Sequence, residues 1–156
     1  MDGRIGLTSN STDPDWLQPL VPWEEGKCTQ MLASRGQRVY EYRFSSVADS
    51  MRKEWPGAPH ATEILFVFDT VRARYGKDLT AADEATAKAA LNYWVNFAKT
   101  GDPGGEGDAR WPAYSAATDE LMNFTEAGPK AMADQWKSRL DVTAEMVTSM
   151  AEGGGR

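Results

Sequence analysis

The chain has 156 residues, 41% of them hydrophobic and six of them tryptophan, enough apolar material for one globular domain and unlike a disordered segment. A formal charge of -6 and a pI near 4.8 leave no surplus of Lys and Arg to neutralise phosphates, and no basic run is interleaved with aromatics, so nucleic acid is not an expected partner. Cys28 is the one cysteine, which excludes an internal disulfide and any cysteine-based zinc site.

The stretch from Met1 to Leu7 lacks the apolar run of a signal peptide, and no window is long enough to cross a bilayer. Read as given, the chain is soluble and cytoplasmic with no membrane partner, and an export signal would be lost with a missing N-terminus. Residues 1–26 are crowded with turn formers, Asn10-Ser11-Thr12-Asp13-Pro14-Asp15 and then Pro19, Pro22 and Gly26, so no element of useful length is expected there. A loop-rich arm is the reading. Trp16, Leu17, Leu20, Val21 and Trp23 make it apolar enough to lie against another surface.

A short helix is expected over residues 27–34, ended by Gly36 in the left-handed conformation. A strand follows: Val39-Tyr40-Glu41-Tyr42-Arg43-Phe44 alternates so that Tyr40, Tyr42 and Phe44 share one face and Glu41 and Arg43 the other. Residues 45–59 form a long connection of the kind that is functional or disordered. Ile64-Leu65-Phe66-Val67-Phe68 reads by periodicity as a buried strand, although so short an apolar run does not separate strand from buried helix.

Thr80 with Asp83 three positions on marks a helix start, and Ala90, Tyr93, Trp94 and Phe97 then share one face. Lys99 and Gly101-Asp102-Pro103 end it. A glycine-rich turn over residues 101–108, a packing anchor at Trp111-Pro112-Ala113-Tyr114 and a short strand at Glu120-Leu121-Met122-Asn123-Phe124 come next. After Gly128-Pro129 a final helix is expected, with Met132, Trp136, Leu140 and Val147 as its apolar stripe, and residues 152–156 should fray.

His60 is the one histidine, and it lies in a loop shortly after a strand. A lone loop histidine is more often a surface or packing residue than a catalytic one. His60-Ala61-Thr62-Glu63 has metal-like spacing, but zinc needs three or four ligands and no second histidine exists, so neither a metal nor a cofactor is expected. No Gly-x-Ser-x-Gly elbow is present: Ser34, Ser45, Ser46, Ser50 and Ser115 all lack the flanking glycines. Cys28 lacks a nucleophile's setting and reads as a helix residue facing neighbours. Asp83, Glu84, Asp119 and Glu120 read as caps and solvated charge.

Several stretches, taken together and in order, resemble the last third of a type-B carboxylesterase, in the cholinesterase-like branch of the α/β-hydrolases. They are Val39-Tyr40-Glu41-Tyr42-Arg43-Phe44, Gly57-Ala58-Pro59-His60-Ala61-Thr62-Glu63-Ile64, Phe66-Val67-Phe68, the run Tyr93-Trp94-Val95-Asn96-Phe97 through Gly101-Asp102-Pro103, and Trp111-Pro112-Ala113-Tyr114. The resemblance covers residues 27–143. It implies an α/β fold, the C-terminal portion of an α/β-hydrolase, which as an isolated chain would be a small α+β unit with few strands and two main helices. It also implies that His60 is the general base of a serine-hydrolase triad, with Glu63 capping or bracing the loop, and that Phe66-Val67-Phe68 is a short helical or irregular segment lining the core and pocket wall.

In that family the serine elbow, the oxyanion loop and the triad acid lie upstream of the region covered here. The chain alone is therefore expected to be inactive, since loss of a triad nucleophile costs about six orders of magnitude in turnover. The expected organisation is a poorly matching arm over residues 1–26, the carboxylesterase segment over 27–143, and the end of the last helix with a frayed tail over 144–156. A small-molecule ester is the expected substrate once an upstream segment complements the chain, and self-association through an exposed sheet edge is expected without it. A non-catalytic binding module and a gene fragment without function remain open at this point.

Overall fold

The computed structural model describes the backbone of residues 4–9, residues 28–138 in full, and residues 141, 142, 145, 146 and 149. The alternating segment forms strand β2 (Val39–Phe44). Beside it run β1 (Arg4–Ser9) and β3 (Glu120–Thr125), both parallel to it, and β4 (Gly128–Ala133) pairs antiparallel with β3. The result is a mixed four-stranded sheet of order β1-β2-β3-β4. Around it lie the helical residues 28–34 (α1), α2 (Glu63–Val67), α3 (Val71–Tyr75) and α4 (Ala81–Thr100), which makes the described chain a small α+β unit.

Parallel strands need a covered crossover, and the segment from β2 to β3 supplies it with α2, α3 and α4 on the aromatic face. Tyr40, Tyr42, Phe44, Met122 and Phe124 form that face, and Phe66, Val67, Val71, Tyr75, Ala87, Ala90 and Tyr93 pack onto it. Trp111 sits at the centre of the cluster, with ring centroids 5.5 Å from Tyr93, 5.6 Å from Trp94 and 5.6 Å from Phe124. β3 pairs with only the last three residues of β2, so the carbonyls near the start of β2 need other donors. The Trp111 indole N–H donates to the Glu41 carbonyl at 2.9 Å, and the Tyr114 N–H donates to the Val39 carbonyl at 2.7 Å. The 111–114 anchor thus completes the ladder as well as the core.

The start of α4 is the expected one, with a capping box between Thr80 and Asp83, and Gly101 closes it at φ 73°. α1 likewise ends in Gly36 at φ 76°, with the Gly36 N–H bonded to Ala33 O and the Gln37 N–H to Leu32 O, a Schellman pair. Ile64 to Phe68 resolves as helix, not strand, because α2 spans Glu63–Val67 and buries only Phe66 and Val67. α3 had no sequence signal, yet it places Val71 and Tyr75 in the core.

Other expectations are corrected. Residues 4–9 form β1 where no element was expected; its backbone ladder comes from β2, more than thirty residues away, which local turn signals cannot reveal. The helix expected after Gly128-Pro129 is instead β4, closed on β3 by a tight hairpin in which Gly128 takes φ 106° and the Thr125 hydroxyl donates to Gly128 O at 2.8 Å. Pro129 is tolerated because β4 is an edge strand, and helix begins again only at residue 137. Of the two main helices expected, α4 is therefore present and the other starts later. Cys28 is helical but exposed. The apolar arm residues from Trp16 to Trp23, Leu140, Val147 and the fraying tail fall outside the described residues.

The second face of β2 departs most from the alternation reading, since Glu41 and Arg43 are only 7% and 4% exposed. Arg43 meets Asp134 at 2.5 Å, and the Trp136 ring lies 4.7 Å from its guanidinium carbon. Breaking a buried pair by removing one partner strands the other charge. Asp134→Ala should therefore lower unfolding free energy by about 3–5 kcal/mol in urea titrations, whereas a nonpolar replacement of both partners should cost far less. Trp111→Phe should cost about 1–3 kcal/mol by the same measurement, because it keeps a ring but leaves a buried carbonyl unpaired.

Candidate functional site

His60 is carried on the connection that leaves the C-terminal end of β2, an interior strand of the parallel part of the sheet. Ligand-binding residues of open α/β sheets gather at such carboxyl edges. Residues 59–62 make a tight turn: the Thr62 hydroxyl donates to Pro59 O at 2.7 Å and the Thr62 N–H to the same oxygen at 3.3 Å. His60 and Ala61 form the tip, and His60 is exposed. Ala61 has φ 65°, the left-handed region that favours glycine, so the chain reverses sharply right after the imidazole.

α2 begins at once, with the half-buried Glu63 as its first residue. Phe66 fixes this helix to the sheet, its ring centroid 4.9 Å from that of Phe44 at the end of β2. His60 is therefore held between a turn that presents it and a helix whose far side is locked in the core. Along the outer side of α2, Ile64 and Phe68 are 49% and 70% exposed. An apolar strip thus begins one turn beyond the imidazole. Of the Phe66-Val67-Phe68 segment, two residues line the core, as the resemblance implied, and Phe68 faces outward.

The family model described as the carboxylesterase family matches residues 24–142, which takes in β2, the His60 turn, α4 and the β3–β4 hairpin. The chain belongs to the carboxylesterase family. It is 39% identical to an acetylcholinesterase of Gallus gallus over 88 residues, 55% of this chain and 11% of that protein. It is 34% identical to carboxylesterase 5A of Canis lupus familiaris over 93 residues, 55% of this chain and 16% of that protein. To acetylcholinesterase 1 of Caenorhabditis elegans it is 33% identical over 96 residues, 58% of this chain and 16% of that protein. The chain thus spans a small fraction of the length of these relatives.

A second titratable group in this carboxylesterase segment is one that sequence reading passed over. Burial pushes the Glu41 carboxyl up to about 7, and Asp119 and Asp134 add to the rise, while a hydrogen bond from Thr29 and the charge of Arg43 oppose it. Such a value often marks a functional acid. Here the group is covered by α1, through the fully buried Thr29, on the sheet face away from the aromatic core. Glu41 is therefore a structural carboxyl. The alternation of β2 gave no hint of it, because a charged residue opposite an aromatic face normally meets water.

Two measurable consequences follow from this geometry. Ala61→Gly should raise unfolding free energy by about 0.5–1 kcal/mol, since glycine adopts the required φ without the Cβ clash, and the gain is read as a higher Tm. For Glu41 the folded pKa lies above the ordinary 4.5, so the unfolded chain ionises first and this group's contribution to stability declines as pH rises from about 4.5 to about 7, then stays flat. Glu41→Gln should remove that decline, on the order of 3 kcal/mol, when denaturation curves of the two proteins are compared at pH 5 and pH 8.

Proposed function

We propose that this chain is the histidine-bearing C-terminal part of a carboxylic ester hydrolase, with His60 as general base and Glu63 bracing the turn. The reading rests above all on His60, the sole histidine of a carboxylesterase-family segment, standing exposed at the tip of a rigid turn at the carboxyl edge of the sheet. Ester cleavage needs a base that takes the proton from a serine hydroxyl as its oxygen bonds to the ester carbonyl carbon. The imidazolium then returns that proton to the departing alkoxide as the C–O bond breaks. Water repeats the cycle against the acyl-enzyme, freeing the acid and the serine.

No serine in the sequence stands in a nucleophile elbow, so the nucleophile, oxyanion donors and triad acid would come from family sequence outside this segment. By the same reading the full α/β-hydrolase sheet continues beyond β1, and this edge is where the chain would self-associate when no further strand covers it. A small ester is the substrate in this reading. The exposed Ile64 and Phe68 favour a second reading, a non-catalytic module that holds an apolar partner.

The test is hydrolysis of a short-chain aryl ester by the chain alone and after mixing with a family segment that carries the serine elbow. The chain alone should show no turnover above buffer. The mixture should be active and should lose about 10⁴–10⁶-fold on His60→Ala. Brisk hydrolysis by the chain alone, or activity of the mixture indifferent to His60→Ala, would overturn the proposal; no activity in either arm, with Phe68→Ser abolishing partner capture, would support the second reading.

A further inference from the structure

We propose that Asp83 is a positioning residue for His60, a buried carboxylate that joins the root of the His60 loop to the N-terminus of α4. The role of His60 rests on the function proposed above; the joint itself does not.

A helix cap needs one side-chain oxygen, and capping residues ordinarily sit in water. Asp83 Oδ2 does the capping work, accepting the Thr80 N–H at 3.1 Å and the Thr80 hydroxyl at 2.9 Å. Yet Asp83 is only 2% exposed. Burying a carboxylate is unfavourable unless its oxygens are satisfied, and capping alone does not require it. The other oxygen, Oδ1, accepts the backbone N–H of Asp49 at 3.2 Å, a residue 34 positions earlier. One side chain therefore ties two segments that are remote in sequence.

Asp49 opens the 3-10 turn Asp49–Met51 at the root of the loop. From there the path to the imidazole is stiff. The Glu54 and Trp55 N–H groups both bond to Met51 O at 2.9 Å, Trp55 packs against the core, Ala58 is buried, and the Pro59 to Thr62 turn follows. Beyond His60, α2 is held by apolar contacts through Phe66 and Val67. Those contacts are non-directional and fix distance from the sheet better than orientation. The Asp83 bond is directional, and it fixes where the loop leaves the sheet relative to α4. The Asp49 carboxylate is engaged elsewhere, with Arg52 at 2.6 Å, and Arg52 also reaches Glu126 at 3.1 Å on the β3–β4 hairpin. Those pairs are partly exposed and hold the loop's outer surface.

His60 is the only histidine, so its imidazole Cε1–Hε1 correlation is unique in a ¹H–¹³C NMR spectrum of the full chain. Ala48 has φ -53° and ψ 136°, a conformation that proline tolerates in its predecessor. Asp49→Pro therefore deletes the N–H donor and leaves the α4 cap untouched, and Asp49→Ala is its control because it keeps that N–H and loses only the carboxylate. Asp49→Pro and Asp83→Ala should each shift or broaden the His60 signal, while Asp49→Ala should leave it in place. Asp83→Ala, which removes the acceptor that asparagine would keep, should also speed exchange of the Asp49 amide by about tenfold or more. A His60 signal identical in Asp49→Pro and Asp49→Ala, or an Asp49 amide equally protected in Asp83→Ala, overturns the proposal. Thr80→Ala, which weakens the cap but spares the Asp49 bond, should lower Tm without moving the signal; movement there would show a merely structural role. These readouts need no ester turnover, so their failure and that of the hydrolase reading are separable.

Discussion

The covering of β2 on both faces is the constraint on which the rest of the structure depends. A strand with neighbours on either side and layers above and below has no water to hydrate its polar groups, so every one must find a partner within the protein. The aromatic face is covered by α4 and the central Trp111. The charged face is covered too, which forces the Arg43 pairing with Asp134, the Trp136 ring over the guanidinium, and the high proton affinity of Glu41 beneath Thr29. The turn after β4 exists where it does because Asp134 must reach Arg43. Its backbone is tied down as well, with the Asp134 N–H on Asp119 O at 3.0 Å and the Trp136 N–H on Asp134 Oδ1 at 2.9 Å.

The same strand sets the place of the candidate site. Phe44, its last residue, gives Phe66 a ring to pack on, and this brings α2 back to the carboxyl edge of the sheet after an eighteen-residue excursion from residue 45 to residue 62. His60 lies just before that return, on a turn tight enough to hold Ala61 in the left-handed region. The proposed role of His60 as a base asks for an imidazole that is both accessible and held in place. The turn leaves it exposed, Phe66 anchors the helix that follows, and the Asp83–Asp49 bond joins the root of its loop to α4. The carboxylesterase family match spans all of these elements, so the scaffold and the residue it presents belong to one inherited unit.

Much of this could be read without coordinates wherever the signal was local. The α4 capping box, the glycines that end α1 and α4, the aromatic face of β2 and the Trp111 anchor are each written in a few adjacent residues. So was the place of His60, the only histidine of the sequence, in a loop shortly after a strand. Residues 128–133 misled, since Gly-Pro followed by apolar residues at fourfold spacing suits a helix start as well as a hairpin exit; pairing of Leu121 with Met132 in the sheet made the choice. Asp83 read as a solvated cap because its second hydrogen bond goes to a residue 34 positions away.

Local chemistry in the chain fixed which residues turn, cap and alternate, and fixed that a single imidazole sits in a loop. Packing over long sequence distances settled the remainder: that β1 has a partner, that both faces of β2 are dry, that burial raises the proton affinity of Glu41, and that Asp83 spans two elements. The physical reason is that burial and hydrogen-bond satisfaction belong to pairs of segments. Neither segment carries a record of the other until the two are brought together.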